Sequence, residues 1–159
     1  MILVVMGVSG SGKTTVGEGL AKKLGVPFYD ADDFHPASNV EKMSSGVPLT
    51  DADREPWLKI LSQKLASGEA AVLACSALKE SYRQLLNEGS QKIQWVYLKG
   101  SKDVIRERMQ ERKGHYMKAS MLDSQFATLE EPEYGIHTSV EQEPEKIVAE
   151  VYQKLKNTL

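Results

Sequence analysis

The sequence predicts an α/β fold built on a parallel sheet, and three observations carry this prediction. Apolar, strand-like runs alternate along the chain with segments in which apolar residues recur at helical spacing. The run at 70–75 is almost entirely apolar, as expected of a strand that is covered on both faces. A glycine-rich turn at 7–12 joins the first apolar run to the first helical segment.

Five segments have the composition of strands. They lie at 2–6, 27–30, 70–75, 93–98 and roughly 136–140. Because helical segments separate them, we expect the strands to run parallel to one another.

Helical segments fill the intervals between the strands. The first is predicted over 14–24, and Gly25 is placed to end it. Pro36 suits the first turn of a second helix, and Thr50 with Asp53 resembles an N-terminal capping signal for a third. Apolar residues at helical spacing mark the third helix and three more: Trp57, Leu58, Leu61 and Leu65; Tyr82, Leu85 and Leu86; Val104, Ile105 and Met109; and Ile147, Val148, Val151, Tyr152 and Leu155.

Residues 112–135 interrupt this alternation. The stretch at 112–118 is basic and contains a glycine, and an amphipathic stretch follows it. With no strand of its own, the segment is either a mobile lid that closes over phosphates or a pair of solvated surface helices. The chain, residues 1–159, is expected to form one domain that includes this segment.

Composition excludes several classes of protein. A formal net charge of −2 gives no global reason to expect binding to nucleic acid or to an anionic membrane. The sequence contains no stretch of 18 apolar residues, so no membrane-spanning helix is predicted. The apolar run at the start of the chain is too short for a signal peptide. The single Cys75 cannot form an internal disulfide, which favours a cytoplasmic protein. Its apolar surroundings predict a buried structural thiol rather than a nucleophile.

Residues 7–14 read Gly-Val-Ser-Gly-Ser-Gly-Lys-Thr, a complete phosphate-binding loop between a strand and a helix. The glycines allow a tight turn that aims backbone N–H groups at phosphate oxygens, and the N-terminus of the next helix adds its dipole. Lys13 can reach the β- and γ-phosphates, and the Thr14 hydroxyl can ligate Mg²⁺. The sequence therefore predicts that the chain binds a nucleoside triphosphate together with Mg²⁺. The candidate nucleotide-binding residues are Gly7, Val8, Ser9, Gly10, Ser11, Gly12, Lys13, Thr14 and Thr15.

Three carboxylates follow the second strand, at Asp30, Asp32 and Asp33. Ligands of open α/β sheets bind beyond the C-terminal ends of the strands, which places this cluster beside the phosphate loop. One carboxylate can support Mg²⁺, for which Asp30 is the candidate, and another can accept the proton of an attacking hydroxyl. The alternative is a solvated acidic turn that caps the next helix, a role most expected of Asp33.

Two basic features complete the predicted site. Arg54 can bind a carboxylate with two hydrogen bonds, although a surface salt bridge is an equally open interpretation. Arg112 and Lys118 can stabilise the charge that spreads over a transferred phosphoryl group.

Missing motifs argue against other nucleotide-binding proteins. The chain contains neither Asn-Lys-x-Asp nor Asp-x-x-Gly, which disfavours a GTPase, and the run at 70–75 has no terminal acidic residue of the Walker-B type. A regulatory protein that binds a nucleotide but transfers no phosphoryl group to an acceptor is a further alternative. The carboxylates at 30–33 and the basic stretch at 112–118 argue against it.

Seven stretches in order resemble the gluconate kinases, a family of small phosphate-loop enzymes. They are 7–14, 32–36 (Asp-Asp-Phe-His-Pro), 39–58, 74–79 (Ala-Cys-Ser-Ala-Leu-Lys), 97–100, 112–117 (Arg-Lys-Gly-His-Tyr-Met) and 125–132. The phosphate loop alone is shared by many families, whereas the other stretches together are far more specific. Phe34 and Tyr116 are conservative departures from the commonest pattern.

The resemblance implies a fold and an activity. The fold is similar to that of shikimate and nucleoside monophosphate kinases: three layers around a five-stranded parallel sheet of order 2-3-1-4-5, with helices on both faces and a lid insertion. The activity is ATP-dependent phosphorylation of the 6-hydroxyl of D-gluconate. A homodimer is common in such kinases. Shikimate as the acceptor is disfavoured because the turn at 75–79 lacks the glycine-rich sequence expected of shikimate kinases.

The resemblance also implies residue roles. Asp32 matches a substrate-binding carboxylate of shikimate kinases and is the candidate hydroxyl acceptor and base. Arg54 is the candidate for the gluconate carboxylate, and His35 and Lys79 are candidates for the wall around the polyol. Arg112 is the candidate catalytic residue of the lid.

Two further residues receive weaker assignments from the same resemblance. Arg108 is a possible stacking partner for adenine. His115 either touches the substrate or only caps the lid.

Overall fold

The computed structural model describes residues 1–89, 93–111 and 119–158. Its elements, in chain order, are β1 (Ile2–Met6), α1 (Lys13–Leu24), β2 (Phe28–Asp30), a 3₁₀ turn (Ala31–Phe34), α2 (Ala37–Ser44), α3 (Asp51–Leu65), β3 (Ala71–Ala74), α4 (Glu80–Gly89), β4 (Ile93–Lys99), α5 (Lys102–Glu111), α6 (Ala119–Thr128), β5 (Ile136–Ser139) and α7 (Pro144–Thr158). None of these helices is both long enough and apolar enough to cross a membrane.

The five strands form one parallel sheet of order β2-β3-β1-β4-β5, which confirms the predicted topology. The central strand β1 pairs with β3 on one side and β4 on the other, and all five of its residues are buried. Each predicted strand lies within one or two residues of its observed bounds. All strands therefore end at the same edge of the sheet.

Helices cover the sheet as predicted for a three-layer α/β fold. Helix α1 packs against α7, and α3 packs against α4. The predicted apolar face of α3 is buried through Trp57, Leu58, Leu61 and Leu65. These contacts surround β1 with apolar side chains, so the loop that leaves β1 has a rigid base.

The 3₁₀ turn Ala31–Phe34 was not predicted, and it changes the role of one acidic residue. Asp30 Oδ1 accepts a hydrogen bond from the Asp32 backbone N–H at 2.9 Å and so caps the turn. Asp33, the expected cap, is exposed and has no such role. The reason is local, because an aspartate readily bonds the backbone N–H two residues ahead of it.

The capping signal at Thr50 is confirmed. Thr50 Oγ1 accepts from the Asp53 N–H at 3.1 Å, and Asp53 Oδ2 accepts from the Thr50 N–H at 2.9 Å. The Lys42 ammonium lies 2.9 Å from both carboxylate oxygens of Asp53 and, together with the Thr50 N–H, lowers the pKa of that carboxyl to about 2. The reciprocal cap fixes the first turn of α3, the turn that carries Arg54.

The lid candidate at 112–135 is described from residue 119 onward. Within 119–135 the chain forms α6 and no strand, and α6 packs against α5. Asp123 on α6 pairs with Lys102 at 3.2 Å and with Arg106 at 3.6 Å. The basic stretch at 112–118 lies outside the described residues.

A buried arginine joins the segment after α6 to the turn after β3. Arg83 is 1% exposed and donates to the backbone oxygens of Ala77 (2.7 Å) and Glu130 (2.9 Å). It also donates to Glu80 and to the hydroxyl of Tyr134. Ala77 has a left-handed backbone with φ of 43°, which is unfavourable for a residue with a side chain. Arg83 therefore stabilises a strained turn that borders the sheet edge.

We expect Arg83→Met to lower the free energy of unfolding by at least about 2 kcal/mol, because the buried carbonyl oxygen of Ala77 and the partly buried one of Glu130 lose their donors. Chemical denaturation followed by circular dichroism measures the change. The control is Gln84→Met on the exposed side of α4, with an expected change within about 0.5 kcal/mol. Equal losses for the two variants would contradict a special role for Arg83.

Candidate active site

A cleft of about 630 Å³ opens at the edge where the strands end. Its walls come from five parts of the chain: the loop after β1, the 3₁₀ turn after β2, the α2–α3 connection with the start of α3, the turn after β3, and α6. The crossover topology brings these segments together, as expected for a ligand site in an open α/β sheet.

The phosphate loop forms one wall of the cleft. Gly10 and Gly12 have left-handed backbones with φ of 83° and 93°, and a Cβ atom on Gly10 would lie 2.6 Å from Met109 Cγ. Lys13 Nζ donates to the Val8 carbonyl at 3.0 Å. Six of the predicted nucleotide-binding residues line the cleft, namely Ser9, Gly10, Gly12, Lys13, Thr14 and Thr15. The other three loop residues, Gly7, Val8 and Ser11, are buried beneath the loop.

Thr14 and Asp30 form the candidate metal position. The Thr14 hydroxyl donates to Asp30 Oδ2 at 3.1 Å, and both side chains line the cleft. These oxygen donors fit Mg²⁺, which usually takes only one or two protein oxygens and completes its shell with water and phosphate. The described residues contain no cluster of three or more His, Cys, Asp or Glu side chains that could hold a metal ion.

Asp32 lies in the cleft with 74% of its side chain exposed. Although this side chain is open to the cleft, the protein walls around it partly desolvate its carboxyl and raise the pKa. The negative charges of Asp30 and Asp33 act in the same direction, while Lys13 opposes them. A raised pKa makes this carboxylate a better proton acceptor than an ordinary aspartate.

His35 lines the cleft beside Asp32. Its ring stacks on Trp57 with centroids 4.1 Å apart and planes inclined by 16°. Burial lowers the pKa of His35 to about 4, and the positive charge of Arg54 adds to the effect. The imidazole is therefore neutral at physiological pH, and it cannot supply a positive charge to an anionic substrate.

Arg54 is the cationic group of the α3 wall. Its Nη1 donates to the Tyr82 hydroxyl at 3.0 Å, and that hydroxyl donates a hydrogen bond to Asp51. The described part of the chain contains no salt-bridge partner for Arg54, which disfavours the alternative of a surface ion pair. Because the Tyr82 phenol is neutral, it holds the Arg54 guanidinium in place without offsetting its positive charge, which can then bind an anionic ligand.

Two sequence-predicted residues do not line the cleft. Lys79, expected in the polyol wall, does not line it, because its Nζ pairs with Asp51 Oδ1 at 3.0 Å and Oδ2 at 3.1 Å. Arg108, expected at adenine, also lies outside the lining and donates to the Gln142 carbonyl at 3.4 Å. Arg112, His115 and Lys118 lie outside the described residues.

Sequence reasoning missed two polar residues of the site. Gln125 on α6 accepts from the Ser9 N–H at 2.7 Å and donates to Ser9 Oγ at 3.0 Å. Asn39 is 2% exposed and lies between His35 and the first turn of α3. Both residues lie in stretches that carry the family resemblance, which is the only signal that singles them out.

Cys75 is 1% exposed at the end of β3, and burial raises the pKa of its thiol to about 12. The thiol is therefore protonated and inert at physiological pH. The interpretation as a buried structural cysteine is confirmed.

Comparison with known proteins agrees with this geometry. A sequence profile described as shikimate kinase matches residues 9–158. A gluconokinase from Gluconobacter oxydans is 50% identical over 156 residues, which cover 94% of this chain and 88% of the relative. The thermoresistant gluconokinase of Escherichia coli is 48% identical over 82% of this chain and 77% of its own length.

Solved structures show the same relationship. A gluconokinase from Sinorhizobium meliloti superposes with a TM-score of 0.93 at 46% identity, over 98% of this chain and 91% of that one. A shikimate kinase from Aquifex aeolicus superposes with a TM-score of 0.60 at 19% identity over 99% of this chain and 98% of its own, which supports the common fold alone. The chain therefore belongs to the shikimate kinase family, in which it groups with the gluconokinases.

Proposed function

We propose that this protein is a gluconokinase that transfers the γ-phosphoryl group of ATP to the 6-hydroxyl of D-gluconate, giving 6-phospho-D-gluconate and ADP. One observation carries the proposal most directly. A single cleft contains a phosphate-binding loop, a carboxylate with a raised pKa and an arginine held by a neutral partner. A sugar-acid kinase needs these three groups, for the donor, the attacking hydroxyl and the acceptor carboxylate respectively.

ATP binds with its phosphates in the loop at 7–14. The backbone N–H groups and the N-terminus of α1 bind the phosphate oxygens, and Lys13 leaves the Val8 carbonyl to reach the β- and γ-phosphates. Thr14 and Asp30 would hold Mg²⁺, directly or through water, and the ion would supply positive charge that offsets the charge of the phosphates.

Asp32 acts on the acceptor. The oxygen of the 6-hydroxyl forms the new bond to the γ-phosphorus while the bond from that phosphorus to the β–γ bridging oxygen breaks. The hydroxyl proton passes to the Asp32 carboxylate, and ADP leaves with the bridging oxygen. The positive charge of Lys13 acts to lower the pKa of Asp32, which supports a position for the proposed base near the phosphates.

Arg54 binds the gluconate carboxylate and so determines which end of the substrate faces ATP. A guanidinium binds a carboxylate through two parallel hydrogen bonds. Trp57 and His35 form the adjoining wall of the cleft.

Residues 112–135 close over the bound substrates in this proposal, within a single kinase domain. Arg112 then contacts the transferred phosphoryl group. Gln125 lies in the described part of this segment and accepts a hydrogen bond from the N–H of Ser9, a residue that lines the cleft. A homodimer and a cytoplasmic location stay predictions of the sequence.

The test of the proposed function is an ADP-release assay with Mg-ATP and a panel of acceptors: gluconate, shikimate, hexoses, glycerate and AMP. We expect turnover with gluconate alone and a 6-phosphorylated product by NMR. Turnover with shikimate instead of gluconate would contradict the proposal and reassign Arg54 and His35.

We expect Asp32→Asn to lower kcat at least about 100-fold, because the amide cannot accept the hydroxyl proton. Binding of ATP, measured by calorimetry, should change little. The matched control is Asp33→Asn on the same turn, where the side chain is exposed and does not line the cleft. If the two variants retained similar kcat values, Asp32 would not be the base.

We expect Arg54→Met to raise the KM for gluconate by about 10- to 100-fold and to leave the KM for ATP nearly unchanged, because a hydrogen-bonded charge pair is lost. Steady-state kinetics at saturating co-substrate measure both constants. The control is Lys59→Met on the same helix, where the side chain is 62% exposed and pairs with Glu55. A rise confined to the KM for ATP would overturn the assignment.

We expect Thr14→Val to raise the Mg²⁺ concentration that half-maximal activity requires, because the hydroxyl oxygen beside Asp30 is removed. Thr14→Ser keeps the hydroxyl and is the matched control, with a requirement close to that of the parent protein. Titration of activity with Mg²⁺ at constant ATP compares them. Identical requirements for the two variants would show that Thr14 does not serve the metal.

A further inference from the structure

We infer that Asn39 holds His35 in the tautomer with its proton on Nε2, so that His35 donates a hydrogen bond into the substrate cleft and does not act as a base. The identity of the acceptor hydroxyl rests on the proposed function. The assignment of the His35 tautomer depends only on the contacts of the described residues.

The backbone of α3 fixes the orientation of the Asn39 amide. Asn39 Nδ2 lies 2.8 Å from the carbonyl oxygen of Asp53. A carbonyl oxygen can only accept, so the group that faces it must be the NH₂ of the amide. The reversed orientation would bring two oxygen acceptors together at a residue that is 2% exposed. The structure therefore determines which atom of Asn39 is nitrogen.

The same NH₂ group determines the state of His35. Asn39 Nδ2 lies 3.2 Å from His35 Nδ1. Since the NH₂ group can only donate, Nδ1 must offer its lone pair and carry no proton. A neutral imidazole has one ring proton, which must then be on Nε2.

The environment of the ring supports a fixed neutral donor. The His35 side chain is 3% exposed and stacks on Trp57, whose Nε1 donates to the Ala31 carbonyl at 2.7 Å. Burial and the charge of Arg54 keep the pKa of His35 well below physiological pH. The ring therefore neither rotates freely nor takes up a second proton.

One substrate hydroxyl can contact both the Nε2–H group of His35 and the carboxylate of Asp32, the proposed base. His35 Nε2 is 3.7 Å from Asp32 Oδ1, which is too long for a hydrogen bond between them. A hydroxyl oxygen about 2.8 Å from both atoms can accept from Nε2–H and donate to the carboxylate. His35 thus orients the hydroxyl whose proton Asp32 accepts, and Asn39 is a positioning residue that acts through His35.

The test is NMR of the imidazole nitrogens in protein labelled with ¹⁵N-histidine at pH 7. The chain contains His35, His115 and His137, and the signals of His35 are those absent from the His35→Gln spectrum. We expect the nitrogen that couples to both carbon-bound ring protons, Nε2, to be protonated, and Nδ1 to be unprotonated. A proton on Nδ1, or on both nitrogens, would overturn the inference without any appeal to activity.

Asn39→Asp tests the cause of the tautomer. A carboxylate accepts where the amide donated, so we expect the His35 proton to appear on Nδ1. We also expect the KM for gluconate to rise about tenfold, in line with one lost hydrogen bond, while the KM for ATP changes little. An unchanged Nε2–H spectrum in folded Asn39→Asp would show that Asn39 does not determine the tautomer. If this variant fails to fold, the spectrum of the parent protein still decides the inference.

The kinetics of two His35 variants separate the effect of hydrogen-bond donation by this side chain from the effect of its size. Glutamine can place an N–H near the position of Nε2, so we expect His35→Gln to retain a KM for gluconate at least about fivefold lower than that of His35→Ala. Equal values would overturn the donor role. Absence of gluconate turnover in a parent protein with the Nε2–H tautomer would contradict the proposed function and support the tautomer.

Discussion

The burial of β1 between two parallel neighbours is the constraint on which the rest of the structure depends. β3 and β4 pair with it on either side, and each of its residues is buried. The loop that follows therefore leaves a rigid strand end and enters α1 at Lys13. Because every strand of the sheet runs in the same direction, the connections after β1, β2 and β3 meet at one edge, and the cleft lies there.

Charge in the cleft is divided among its walls. Lys13 stands on the phosphate-loop wall and Arg54 on the α3 wall, while Asp30 and Asp32 follow β2. His35 stays neutral, because burial outweighs the nearby carboxylate of Asp30. The cleft thus combines two cations with one carboxylate, that of Asp32, whose pKa is raised. The proposed function assigns the cations to the phosphates and the acceptor carboxylate, and Asp32 to proton transfer.

Hydrogen bonds between distant parts of the chain hold these groups in place. Gln125 bonds Ser9 across 116 residues of sequence, Arg54 bonds Tyr82, and Asn39 bonds the carbonyl of Asp53. Each bond joins a wall of the cleft to a different secondary-structure element. The site is therefore preorganised by side chains that have no reactive role of their own.

Local sequence patterns are sufficient to predict the strand–loop–helix unit at 2–24, the capped start of α3 and the buried Cys75. Glycine positions, apolar period and capping residues encode these directly. Only the tertiary structure decided which polar residues face the cleft. It paired Lys79 with Asp51, turned Arg108 toward Gln142, made Asp30 a cap, and brought Asn39 and Gln125 into the site. These outcomes depend on partners that are distant in sequence or on one backbone turn, and a residue type in a linear pattern does not specify its partner.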